Sequence, residues 1–216
     1  MTIRAVVFDI GETITSDTRY WADWAHWLQV PQHTMSALVG AVVAQGLDNA
    51  EAIRLIKPGA DVPAEWAARR AAGRDEYLDE SDLYPDVRPA LQRLRDAGIW
   101  VGIAGNQNAR VNQLLQDLRL PADAIATSAE WGVAKPNRAF FDMVAAWAPA
   151  EHCHEIVYVG DHPANDITPA RNAGLRTAHL RRGPIGHLQA DHPEAQAADW
   201  NVNTLTELAD QLTANR

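Results

Sequence analysis

Residues 4–14, Arg4-Ala5-Val6-Val7-Phe8-Asp9-Ile10-Gly11-Glu12-Thr13-Ile14, decide how the chain folds. Four or five apolar residues without polar alternation suit a strand buried on both faces, as in a parallel sheet. The run ends in Asp9, and polar positions follow at once. In open parallel sheets the ligand crevice lies at the carboxyl ends of the strands. Asp9 is therefore expected at that edge, with its carboxylate available to a substrate.

Outward from this strand the texture changes twice. After the polar link Thr15-Ser16-Asp17-Thr18, the set Trp21, Trp24, Ala25, Leu28 falls at i, i+3, i+4, i+7, the spacing of an amphipathic helix ended by Pro31. Met35, Leu38, Val39 and Val42 mark a second helix, and a third is expected from Pro63 through Trp66 towards Tyr77. Residues 17–83 thus read as a helical insertion. Within it the Trp21/Trp24/Trp27 trio is expected in the core, and Arg69, Arg70 and Arg74 on a solvated face. From Asp86 onward strands and helices alternate. Val87, Ala90, Leu91 and Leu94 mark a helix closed by Gly98, and the buried run Ile99–Ala104 follows. A helix on Val111, Leu114, Leu115 and Leu118, a short strand near Ile125–Thr127, and a helix on Phe140, Val144 and Trp147 come next. Ile156–Val159 is a further buried strand ending in Gly160-Asp161, preceded by His152-Cys153-His154 as a surface turn. A helix stopping at Gly174, a strand over Arg176–Leu180, a long loop over 181–195 and a capped helix after Thr204 complete the pattern. The fold class expected is α/β: a Rossmann-like open parallel sheet with helices on both faces, formed by residues 1–16 and 84–216, carrying the inserted helical cap 17–83.

Composition bounds the function. The 216 residues are 47% hydrophobic and 22% charged, which is ordinary globular usage. No apolar run approaches the ~20 residues that span a bilayer, so no membrane partner is expected. The start of the chain enters a strand directly, so no secretory leader is expected. The single Cys153 permits no internal disulfide, which fits a reducing, cytoplasmic setting. A net charge of −9 argues against nonspecific nucleic-acid binding and means that an anionic substrate needs a local positive site.

Four strand ends carry polar groups: Asp9, Gly105-Asn106, the stretch Gly132-Val133-Ala134-Lys135-Pro136, and Gly160-Asp161 with Asp166 five residues on. In order and spacing these resemble the four motifs of the haloacid dehalogenase-like (HAD) hydrolase superfamily, which consists mostly of phosphatases. Tyr84-Pro85-Asp86-Val87 resembles the family's return from an inserted helical cap. The resemblance implies that Asp9 is a nucleophile forming an aspartyl-phosphate. It implies Mg²⁺ held by Asp9, the Gly11 carbonyl and Asp161, with Asp166 holding a water or orienting Lys135. Lys135 would neutralise phosphoryl oxygens and keep Asp9 ionised, and Asn106 would offer a backbone N–H to the phosphate. The substrate implied is a small phosphorylated metabolite.

Two motifs depart from the family pattern. Gly11 stands where an aspartate normally protonates the leaving group, a function worth about 10²–10⁴-fold, or roughly 3–5.5 kcal/mol of barrier. Glu12, Asp17 and His162 are candidates to replace it: Glu12 ranks first on proximity, while His162 has the more suitable unperturbed pKa, about 6.5. Gly105 removes a hydroxyl that normally binds phosphate, a loss of about 1–3 kcal/mol. The expected function is a Mg²⁺-dependent phosphatase slowed by these changes. The alternatives are a non-catalytic phosphometabolite-binding or regulatory protein and, more remotely, a 2-haloacid dehalogenase, whose branch typically has Tyr at the position of Gly11.

Overall fold

In the computed structural model, which describes residues 2–214, strands β1 (Ala5–Phe8), β2 (Trp100–Gly105), β3 (Ala124–Thr127), β4 (Ile156–Gly160), β5 (Arg176–Leu180) and β6 (Trp200–Val202) form one sheet. Its order is β3-β2-β1-β4-β5-β6, and every neighbouring pair is parallel. Helices α1 (Thr18–Trp27), α2 (Gln32–Val43), α3 (Glu51–Ile56) and α4 (Val62–Ala71) follow β1, and α5 (Val87–Asp96) precedes β2. Then α6 (Ala109–Asp117) links β2 to β3, while α7 (Ser128–Trp131) and α8 (Arg138–Trp147) lead to β4. Finally α9 (Thr168–Asn172) leads to β5, α10 (Gly183–Leu188) and α11 (Pro193–Gln196) to β6, and α12 (Leu205–Thr213) closes the order.

Strand β1 shows why its run lacks alternation. Val6 and Phe8 pack on one face with Leu91 and Leu94 of α5, Leu115 of α6 and Leu208 of α12. Ala5 and Val7 pack on the other with Phe140, Phe141 and Val144 of α8 and Ala170 of α9. Side chains alternate across a strand, so a central strand covered by helices on both sides needs apolar residues at every position. The four periodic positions of α5, Val87, Ala90, Leu91 and Leu94, are all buried, and Gly98 takes the left-handed conformation that stops it. At α12 the Thr204 side chain caps Glu207 N at 3.0 Å, and the Glu207 carboxylate caps Asn203 N at 2.9 Å, one residue earlier than a standard capping box.

The contact pattern divides the chain into two units, 1–16 with 78–216, and Asp17–Tyr77. Residues 78–83, assigned from sequence to the helical insertion, pack with the first unit: Leu78 and Leu83 lie against its core, and Ser16 N donates to Asp82 O at 2.7 Å. The stretch 181–195 is not a loop. It holds α10 and α11, and β6, which no apolar run announces, extends the sheet beyond β5.

In the helical unit Trp21 and Trp24 are core residues, and Trp27 is tied to Glu65 by an indole hydrogen bond of 3.0 Å. Helix α3 lies where no helix was expected. Arg69 departs from the expected solvated face. It is only 7% exposed, and its guanidinium lies 4.3 Å from the centre of the Trp24 ring. Burial pulls its pKa down, opposed by Tyr20, Asp23 and Glu76. Arg70 and Arg74 are exposed as expected.

Candidate active site

Sheet topology places the chemistry before any side chain is considered. The chain runs from β1 to β2 and β3 on one side, then crosses to β4, β5 and β6 on the other. The switch point lies between β1 and β4, where open α/β sheets bind their ligands. Phe8 pairs in register with both Ile103 and Val159, and Asp9 N donates to Val159 O at 2.8 Å. Asp9 therefore leaves the ladder at the same level as the ends of β2 and β4.

Four side chains from the expected set converge there. Lys135 Nζ lies 2.6 Å from Asp9 Oδ1 and 2.6 Å from Asp166 Oδ1. Carboxylate oxygens of Asp9, Asp161 and Asp166 all lie within 4.8 Å of one another, and all three residues are buried. Lys135 is held by its backbone as well as by its tip. Its N–H donates to Asn106 Oδ1 at 2.8 Å, and its carbonyl accepts from Asn106 Nδ2 at 2.9 Å. The Asn106 side chain thus anchors the lysine segment to the end of β2.

A π-helical turn, Pro163–Ile167, follows Asp161 and swings Asp166 back over β4. Its Oδ2 accepts His162 N at 3.0 Å and sits where a Cβ on Gly160 would be, 2.2 Å from that position. Glycine at 160 is what makes room for it.

The electrostatics are unbalanced. Three buried carboxylates share one ammonium, which leaves two negative charges when all are ionised. Burial pushes the Asp9 carboxyl up to about 6, with Lys135 pulling the other way. Burial also pushes Asp161 well above the usual carboxylate range, helped by Asp166, Asp9 and Glu12. For Lys135 burial favours the neutral form, but Asp166 and Asp9 outweigh it and hold the group well above an ordinary lysine. An oxygen-only donor set with an excess of two negative charges fits a hard divalent cation such as Mg²⁺. Asp9 and Asp161 would hold it with the Gly11 carbonyl, as the resemblance implies, while Asp166, whose oxygens accept from Lys135 Nζ and His162 N, orients the lysine beside it.

A measurable consequence follows from the sign of these shifts. An unfolded Asp ionises near pH ~3.9, whereas Asp9 in the folded, metal-free chain ionises at about 6. Folding then favours the protonated form, and that contribution is full below the unfolded value and lost as pH rises through 6. Asp161 acts in the same direction. The metal-free protein is expected to lose stability between pH 5 and pH 8, and Mg²⁺ to raise Tm more at pH 8 than at pH 5. An equal Mg²⁺ effect at both values, measured by calorimetry, would rule out these carboxylates as the site.

The candidate acid–base residues border this cluster without belonging to it: the charge of Glu12 is felt by Asp161, and His162 N donates to Asp166 Oδ2. Among the described residues, the metal-competent group contains neither Glu12 nor His162. Glu12 has a left-handed backbone, φ 52°, and its carboxylate accepts a hydrogen bond from the Tyr84 hydroxyl. Tyr84 in turn lies under the Arg182 guanidinium, 4.0 Å from the ring centre. Arg182 donates to Thr13 O at 2.8 Å and pairs with Asp86 at 2.5 Å. Sequence reasoning missed Tyr84 and Arg182 as neighbours of the site. It also missed Tyr158, whose ring centre lies 5.5 Å from Lys135 Nζ while its hydroxyl donates to Ala104 O at 2.8 Å. Inside an apolar strand run, Tyr158 offers no signal beyond its hydroxyl.

Comparison with known proteins gives the family and supports the fold. A family model described as haloacid dehalogenase-like hydrolase matches residues 3–174. The chain belongs to that family. It is 28% identical over 233 residues to the glyceraldehyde 3-phosphate phosphatase of Methanopyrus kandleri, covering 96% of each protein. It is 30% identical to the ribulose-1,5-bisphosphate 5-phosphatase of Halopiger xanaduensis, over 72% of this chain and 67% of that one. Among solved structures, the magnesium-bound HAD-hydrolase YfnB of Bacillus subtilis superposes with a TM-score of 0.72 at 18% identity, covering 98% of this chain and 99% of that one. No helix among the described residues is long and apolar enough to cross a membrane.

Proposed function

We propose that the protein is a Mg²⁺-dependent phosphatase of a small phosphorylated metabolite, with Asp9 as nucleophile. The carrying observation is the Asp9–Lys135–Asp166 arrangement beside Asp161 at the switch point of the sheet. The relatives named as sugar-phosphate phosphatases support the substrate class. We read the unit Asp17–Tyr77 as the inserted cap of this family, and the single cysteine as a sign of a cytoplasmic setting.

Asp9 attacks phosphorus in line, the bond to the leaving oxygen breaks, and an aspartyl-phosphate forms. Water then attacks that phosphorus, inorganic phosphate leaves and the carboxylate is regenerated. A bound Mg²⁺ would neutralise the carboxylates and the phosphoryl oxygens between which charge repulsion would otherwise prevent approach. Lys135 favours the ionised form of Asp9 against the effect of burial and faces the charge that develops on the phosphoryl group. Asp166 and Asn106 hold Lys135 in that position.

Gly11 cannot give the leaving group a proton. Glu12, whose carboxylate accepts from the Tyr84 hydroxyl, is the first candidate to replace that acid in part, on proximity, with His162 the second. Protonation of the leaving oxygen matters most for poor leaving groups. The enzyme is therefore expected to hydrolyse an activated aryl phosphate at least ~10²-fold faster than an alkyl phosphate. The test is phosphate release from both substrates with Mg²⁺ and with EDTA. Stabilisation by ligand without any release would favour the non-catalytic reading instead, and metal-independent halide release from a haloacid would favour dehalogenation.

A further inference from the structure

Gly105 is more than a lost hydroxyl. A Cβ built on it would lie 2.4 Å from Asp9 Oδ1 and 3.2 Å from both Ile10 N and Ile10 Cγ1. The first distance is far inside van der Waals contact, so no other residue at 105 can coexist with Asp9 in this position. The oxygen concerned is the one that pairs with Lys135 Nζ at 2.6 Å.

Lys135 has partners besides Asp9 that hold it in place. Its backbone is tied to Asn106 by two hydrogen bonds, and its tip is tied to Asp166 Oδ1. Asp166 is itself wedged over Gly160 and bonded to His162 N. Lys135 is thus fixed from both ends independently of Asp9. Strands β1 and β2 are neighbours in the sheet, and the Asp9 carboxylate that pairs with the ammonium leans across the last residue of β2. It does so through the volume that a side chain at 105 would fill.

We propose that Gly105 is a positioning residue for Asp9: its missing side chain is the space in which the carboxylate pairs with Lys135. Restoring a hydroxyl at 105, as in the related motif, then impairs the site, because serine brings a Cβ along with its oxygen. The kinetic part of this inference rests on Asp9 acting as nucleophile, whereas the packing part does not.

The test is a double-mutant cycle on the full chain without metal, using wild type, Gly105→Ala, Asp9→Ala and the double variant. Gly105→Ala is expected to lower Tm by about 4 °C or more in the wild-type background. With Asp9 truncated, the same change is expected to cost less than half as much, because the colliding oxygen is gone. A Gly105→Ala chain that fails to fold alone but folds with Asp9→Ala also supports the proposal. Equal costs in both backgrounds, no cost in either, or failure to fold in both would overturn it. In kinetics on an aryl phosphate, Gly105→Ala and Gly105→Ser are both expected to lower kcat about tenfold or more with KM within threefold. A Gly105→Ser enzyme as fast as wild type would overturn it too. Should the wild-type protein release no phosphate, the function proposed above fails, and the Tm cycle still decides the role of Gly105.

Discussion

Asp9→Asn is expected to lower phosphate release at least ~10³-fold while leaving the fold intact. The amide matches the carboxylate in size but cannot attack phosphorus, so the loss should appear in kcat. Its effect on stability separates it from a merely structural residue. The Asp9 carboxyl is held at about 6, above its ordinary value, because burial disfavours its charge more than Lys135 favours it. Removing that charge in the metal-free protein therefore relieves the cost of burying it instead of breaking a net stabilising pair. Asp9→Asn is expected to show an equal or higher Tm than wild type without Mg²⁺ at pH 8, and a smaller Tm gain on adding it. Initial rates and scanning calorimetry on the same preparation check both parts. Retention of activity within tenfold of wild type would remove Asp9 as the nucleophile.

Lys135→Met is the variant expected to damage the fold. Lys135 is buried and makes 2.6 Å contacts with two carboxylates that are themselves buried. Truncating one partner of a buried ionic cluster costs about 3–5 kcal/mol, because the remaining charges are left uncompensated. At roughly 2–4 °C per kcal/mol for a chain of this size, Tm should fall by about 10 °C at pH 8. The sign of the pH dependence is fixed by the same groups. Asp9 and Asp161 already have raised pKa values, and without the lysine they rise further, so protonation at pH 5 should recover much of the loss. Added Mg²⁺ should recover part of it at pH 8, without restoring activity. A Tm within 2 °C of wild type at pH 8 would show that the ammonium is not what holds these charges together.

Much of this arrangement was legible in the chain. Central strands announce themselves as unbroken apolar runs because both faces are covered, and the helix over Val87–Asp96 by the spacing of its four buried residues. The elements that escaped are short and held by packing. Strand β6 has three residues, one of them the exposed Asn201, and owes its place to pairing with β5. Gly183-Pro184 reads as a turn, yet proline is compatible with the first turn of a helix. Helix α10 sits there because Gly186 can approach Leu180 O and the Asp161 side chain closely. Arg69 reads as one of a run of solvated charges, and only the Trp24 ring beneath it explains its burial.

The opening stretch marks the same division. Sequence alone determined that Asp9 would end a central parallel strand and that Asn106 and Asp161 would stand at later strand ends; Lys135 and Asp166 come in the expected order, but Lys135 lies in the link between α7 and α8 and Asp166 in the π-helical turn Pro163–Ile167. Parallel ladders bring those ends to one edge, so residue type and order suffice for that much. Only the tertiary structure decided which side chains touch: Lys135 between Asp9 and Asp166, Glu12 drawn to Tyr84, and Asp9 lying in the space left by Gly105. Strand order is a property of the backbone pattern, whereas the direction of a carboxylate depends on volumes and charges contributed by residues distant in the chain.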